Sequence, residues 1–139
     1  MIITIDGPAG AGKTTVAKIL AMRLGLKCVD TGATYRALTY WAMKNGIPFE
    51  ELPDRMDGFS LSLRHGRIYV DGEDVGDRIR TPQVSAAVSK VAAIPEVRQK
   101  MVLIQRRISG KNAVVEGRDA GTVIFPEADY KFFLDAELR

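Results

Sequence analysis

Ile2-Ile3-Thr4-Ile5-Asp6-Gly7-Pro8-Ala9-Gly10-Ala11-Gly12-Lys13-Thr14-Thr15 is the stretch that sets the fold. Ile2–Ile5 has the apolar, β-branched make-up of a short buried strand. A glycine-rich turn follows at once, and residues 7–14 satisfy the pattern G-x-x-x-x-G-K-[ST]. The chemistry needs these residue types at this spacing. Glycines let the backbone curl until successive N–H groups point inward at phosphate oxygens. The helix that follows presents its positive end to the same anion. Lys13 would reach the outer phosphates of a nucleoside triphosphate, and the Thr14 hydroxyl would ligate Mg²⁺. By average residue usage the pattern arises by accident in roughly half a percent of chains this long. The strand before it and the amphipathic helix after it argue against accident.

Beyond the loop, Val16, Ile19, Leu20 and Leu24 recur at helical spacing, and Gly25 is a C-terminal stop. Lys27–Asp30 reads as a second strand. Ala33–Asn45 reads as a second helix, with Tyr35, Leu38 and Trp41 on its core face and Asn45-Gly46 ending it. Strand, helix, strand, helix in these lengths predicts a parallel sheet with helices on its faces. The pattern then changes. Phe59, Leu61 and Leu63 alternate with serines, Gly66 marks a turn, Ile68–Val70 continues as strand, and Asp71-Gly72 is a two-residue hairpin signal before Glu73–Val75. This predicts a small antiparallel meander inserted in the parallel framework. Thr81-Pro82 has the form of an N-cap and first helical residue, ahead of a stripe of Val84, Ala87, Val88, Val91 and Ala92. Pro95 restarts a helix on Val97, Met101, Ile104 and Ile108, which Gly110 stops. Ala113–Val115 and Lys131–Leu134 read as two more core strands, and residues 136–139 as the start of a helix.

The chain has 139 residues, 46% hydrophobic and 27% charged, which suits one globular domain with a real core. It holds neither an 18-residue apolar run nor a signal-peptide pattern at its start, so no membrane partner is expected. One cysteine, Cys28, cannot build a disulfide framework, and a cytoplasmic setting fits that usage. The formal charge of +3 suits small phosphate ligands and is too weak for a nucleic-acid surface. His65, in Arg64-His-Gly-Arg67, is a solvated turn residue on this reading, and no His/Cys cluster suggests zinc.

A phosphate loop does not by itself name a reaction. GTPases carry D-x-x-G and N-K-x-D, and neither occurs here. Two other segments stand out: Asp30-Thr-Gly-Ala-Thr-Tyr35-Arg36 after the second strand, and Glu116-Gly-Arg118-Asp119-Ala-Gly-Thr122 after a later one. In open α/β sheets ligands gather beyond the carboxyl ends of the strands, where both segments fall. The run I-D-G-P-A-G-A-G-K-T-T, then D-T-G-A-T-Y-R, D-G-E-D-V, I-R-T, V-S-K-V-A and G-R-D-A-G-T, resembles the bacterial cytidylate kinases in order and spacing across residues 2–136.

The resemblance implies a three-layer α/β P-loop fold with a small antiparallel insertion. Residues 1–139 form a single kinase domain lacking the C-terminal lid region, and 59–81 are its nucleoside-monophosphate-binding insertion. The implied reaction moves the γ-phosphate of ATP onto CMP or dCMP. ATP with Mg²⁺ would lie on Gly7, Pro8, Ala9, Gly10, Ala11, Gly12, Lys13, Thr14 and Thr15, with Thr14 at the metal. CMP would be held by Thr31, Arg36, Ser89, Arg98, Arg118 and Asp119. Arg36 and Arg118 are implied ligands of the acceptor phosphate, which their planar forks suit, and with Lys13 they would stabilise the transferring group. Ser89, Arg98 and Asp119 are implied base readers. A carboxylate accepts from cytosine N4, whereas uracil presents a carbonyl there and leaves the acid unpaired.

Glu116 departs from the Asp expected at that place. Asp6 and Asp30 are read as anchors rather than general bases, since phosphoryl transfer needs positioning and charge neutralisation more than proton abstraction. The expected partners are ATP, CMP and dCMP bound by a monomer, with neither nucleic acid nor membrane. Two other readings stay open at this level: a kinase for UMP, AMP or a non-nucleotide acceptor, and a nucleotide-binding fragment without turnover. Family members continue past Arg139 into an arginine-bearing lid, so little turnover is expected from 139 residues.

Overall fold

A computed structural model of the protein describes residues 1–135, and the helix start expected at 136–139 lies outside them. The chain runs β1 (Ile2–Asp6), α1 (Lys13–Leu24), β2 (Lys27–Asp30), α2 (Thr31–Lys44), α3 (Leu52–Arg55), β3 (Leu61–Arg64), β4 (Arg67–Val70), β5 (Glu73–Asp74), α4 (Pro82–Ala92), α5 (Pro95–Ser109), β6 (Ala113–Gly117) and β7 (Tyr130–Phe133). Single 3₁₀ turns stand at Phe49–Glu51, Met56–Gly58 and Arg78–Arg80, and one π-helical turn at Ala120–Ile124. No helix among the described residues is long and apolar enough to cross a membrane. Two units form, one from Met1–Thr31 with the chain from Gln105 onward, the other from Gly32–Ile104.

The first unit is built on a parallel sheet of order β2-β6-β1-β7. Parallel neighbours need crossover connections, which is why strands far apart in sequence lie side by side. The register pairs Asp6 with Gly117 and Asp30 with Glu116, so the segments leaving β1, β2 and β6 start level at one edge. On one face Ile3, Ile5 and Val114 form a core with Ala17 and Ala21 of α1, joined by half-buried Leu20, Leu26, Cys28 and Leu134. The strand period of two turns Thr4 and Asp6 to the other face.

α1 does not bury the stripe predicted for it. Val16, Ile19 and Leu24 are exposed, and the buried contacts are Ala17 and Ala21. Small residues let the helix lie close to the sheet, and the larger side chains are left on its flanks. Gly25 ends α1 at φ 67°, its N–H turned back to the carbonyls of Ala21 and Met22.

The second unit holds the meander β3-β4-β5. Both its turns have the double positive φ of a type I′ hairpin, His65 and Gly66 at 52° and 76°, Asp71 and Gly72 at 51° and 82°. Trp41 of α2 meets Phe59 with ring centroids 5.4 Å apart, among the buried Leu38, Leu52 and Met56. Tyr35, expected beside them, is only half-buried. The α4 start is as read: Thr81 Oγ1 accepts from the Val84 N–H at 3.3 Å, with Pro82 at the first position. α2 begins at Thr31, two residues before its sequence boundary, directly from the end of β2.

Candidate active site

The loop from Gly7 to Gly12 is shaped by three glycines. Gly7 is buried at φ 155°, and a Cβ there would lie 2.2 Å from the Leu134 carbonyl oxygen. Gly10 and Gly12 take φ 81° and 84°, and Gly12 caps α1 in the left-handed conformation. The loop closes on itself, with the Ala11 N–H donating to the Pro8 carbonyl at 3.3 Å and Lys13 Nζ donating to the same oxygen at 3.4 Å. Pro8, Ala9, Gly10 and Thr15 are exposed, with Ala11, Lys13 and Thr14 half-buried. The lysine therefore folds back on the loop main chain at the positive end of a twelve-residue helix.

Level with this loop stands Glu116 at the end of β6. It is only 3% exposed, and its Oε2 has no hydrogen-bond partner among the described residues. Burial, and then the neighbouring Asp30, push its carboxyl above the ordinary value, against the opposing pull of the Thr14 hydroxyl, Lys13 and Lys18. Thr31, buried at the first turn of α2, donates its hydroxyl to the Glu116 carbonyl at 2.8 Å. A Cβ on Gly117 would meet that hydroxyl at 2.2 Å. The Cys28 thiol, next to this group, is pushed up to about 11 by burial first, then by Glu116 and Asp30. It is packed and unreactive at neutral pH.

Arg118 and Asp119 leave β6 immediately afterwards, the arginine exposed and the aspartate half-buried. The Gly7 N–H donates to the Gly117 carbonyl at 3.2 Å. This bond ties the first residue of the glycine loop to the residue before Arg118. The first unit thus gathers Gly7–Thr15, Thr31, Arg118 and Asp119 at the carboxyl ends of neighbouring strands.

The other three sequence-predicted residues belong to the second unit. Arg36 of α2 donates from Nη1 to Ser85 Oγ of α4 at 3.2 Å. Ser89 lies one helical turn beyond Ser85 and is exposed. Arg98, in the first turns of α5, donates to the Ala92 carbonyl at the end of α4 at 3.3 Å. Sequence reasoning missed Ser85, although it shares a helix face with Ser89 at i, i+4. It also left Glu116 without a role. Its signal was present as an acid closing an apolar strand beside a glycine-lysine loop.

A parallel sheet, a glycine loop tied to its central strand and a lysine at the start of the next helix define a P-loop α/β protein. Residues 3–139 match the family model described as cytidylate kinase. The cytidylate kinase of Clostridioides difficile is 49% identical over 98% of this chain and 65% of that protein. Those of Solibacter usitatus and Caldanaerobacter subterraneus are each 50% identical, over 98% and 99% of this chain and 60% and 63% of theirs. The chain belongs to the cytidylate kinase family and spans somewhat less than two thirds of the length of these relatives.

Proposed function

We propose that the protein serves transfer of the ATP γ-phosphate to CMP or dCMP. One observation carries this reading: the Gly7–Gly117 main-chain bond sets a triphosphate-type loop and an Arg-Asp pair at adjacent strand ends. Adjacent strands lie about 4.8 Å apart, a separation on the scale of two phosphoryl groups that must meet. The loop amides and Lys13 would hold the donor phosphates. Arg36 and Arg118 would hold the acceptor phosphate, each with a planar pair of N–H donors. Asp119, Arg98 and Ser89 would read the base edge, the carboxylate accepting from cytosine N4. Thr31 has spent its hydroxyl proton on Glu116, so a nucleotide group would meet it as an acceptor. Residues 59–81, which contain the meander, are proposed as the insertion that completes the monophosphate site.

A divalent cation fits the residues present. The Thr14 hydroxyl, the orphaned Glu116 Oε2 and the nearby Asp30 are hard oxygen donors at the mouth of the loop, and a cation would offset the mutual repulsion of the two carboxylates. Bound Mg²⁺ would neutralise charge on the outer phosphate oxygens.

The test is calorimetric titration of the chain with ATP·Mg²⁺ and, separately, with CMP, dCMP, UMP and AMP, alongside an assay for CDP formation. CMP and dCMP should bind at least about tenfold more tightly than UMP, the scale set by leaving a buried polar group unpaired. Tighter binding of UMP would refute the base-reading assignment. Binding of ATP with none of the monophosphates would leave a nucleotide-binding module in place of a kinase.

A further inference from the structure

We infer that Asp6 is a positioning residue that sets the Arg118–Asp119 pair in register with the glycine loop. The inference rests on the proposed reading of that pair as part of the acceptor site. Arg118 and Asp119 are only two residues, and both flanks of the pair are fixed to the end of β1. On one side the Gly117 carbonyl receives the Gly7 N–H. On the other, Asp6 Oδ1 accepts from the Ala120 N–H and Asp6 Oδ2 from the Gly121 N–H, each at 2.8 Å. Asp6, Ala120 and Gly121 are all buried.

The turn beyond the pair is held along its whole length. The Asp119 carbonyl accepts from Val123 N–H at 2.9 Å, and the Ala120 carbonyl from Phe125 N–H at 2.7 Å. Arg106 donates to the Ile124 carbonyl and lies over the Phe125 ring. Beneath it, Thr4 offers its side chain to Gly121 so closely that a Cβ there would sit 2.7 Å from Oγ1. The turn therefore seats on the Thr4–Asp6 face of β1, with the carboxylate gripping its first two amides.

A general-base role for Asp6 does not fit this geometry, because both oxygens are occupied by main-chain donors in a buried setting. A carboxylate accepting two amides is held in one orientation and holds them in return. Asp6 also precedes the glycine loop directly and receives the Leu134 N–H on its own carbonyl at 2.8 Å. One residue thus links the donor loop to the acceptor loop, and its effect should appear at the acceptor.

Asp6→Asn keeps the shape but presents an amide nitrogen to one of the two N–H groups. The expected result is a CMP dissociation constant raised about tenfold or more. The preference for CMP over UMP should fall toward unity, while ATP affinity stays within about twofold. In ¹⁵N–¹H spectra the Ala120 and Gly121 amide protons should move upfield and exchange faster. Equal weakening of ATP and CMP would make Asp6 merely structural and overturn the inference. So would unchanged CMP affinity alongside shifted amides.

If Asp6→Asn does not fold, Gly121→Ala displaces the same turn against Thr4. It should weaken CMP alone, and adding Thr4→Ala, which relieves the closest contact and leaves one of 3.3 Å to Asp6 Oδ2, should restore part of the binding; no recovery at all counts against the inference. A wild-type chain with no preference for CMP would remove the acceptor reading and this inference together. A wild-type preference for CMP with ATP and CMP lost equally in the variants would remove only the inference.

Discussion

At the scale of single residues, the packing of Gly117 on Thr31 explains more than either residue does alone. The Thr31 hydroxyl reaches the Glu116 carbonyl only because position 117 has no side chain in its way. Gly117→Ala should therefore push Thr31 off that carbonyl and lower unfolding stability by about 2 kcal/mol, the range for breaking a buried hydrogen bond with a steric clash. Adding Thr31→Ala removes the obstructing hydroxyl, so the double variant should lose less than the sum of the two single losses. Urea melts of the four proteins measure the coupling; strict additivity would show that the contact is not holding the strand end. Thr31 was legible as part of the D-T-G-A-T-Y-R run, but its strand-holding bond was not. That bond pairs residues 85 positions apart, a relation no local spacing encodes.

Elements were more legible where short-range chemistry decides them. Thr81-Pro82 announces α4 through a side-chain cap and a ring preset to helical φ, and both are found. Removing the cap hydroxyl in Thr81→Ala should cost about 1 kcal/mol, read as a shift of the urea midpoint with unchanged slope. A shift below about 0.3 kcal/mol would mean that the 3.3 Å contact contributes little. The hairpin at Asp71-Gly72 was equally plain, because only a few residue types tolerate two successive positive φ angles. The segment between Ile47 and Gly58 was not read. Its helical pieces are three or four residues each, shorter than one hydrophobic period can reveal. The α1 stripe was misassigned for the opposite reason. Its period was correct, but the face is chosen by how closely the helix approaches the sheet, and alanine permits the closer approach. The turn at Ala120–Ile124 depends on Asp6, more than a hundred residues away in sequence, and local propensity says nothing about it.

For the whole molecule, the donor half of the proposed site was readable because its residues are contiguous. Residues 7–15 carry their own geometry in glycine spacing. The residues proposed for the acceptor come from α2, α4, α5 and the end of β6, and only likeness to a family gathered them from the sequence. This difference gives a prediction about ligand-linked stability. A ligand that binds only the folded chain stabilises it by about 2.7 kcal/mol at a hundred times its dissociation constant, a rise of about 10 °C in melting temperature for a chain of this size. Lys13→Ala should abolish the rise produced by ATP·Mg²⁺ and leave most of that produced by CMP, because the lysine lies on the donor loop. Arg118→Ala should do the reverse, since its exposed side chain makes little contribution to the unliganded fold. Melting each protein with each nucleotide separates the two effects. If both variants lose both responses, the two loops act as one binding element. If Arg118→Ala keeps the full CMP response, the arginine is a surface charge and the acceptor assignment passes to Arg36 and its Ser85 partner.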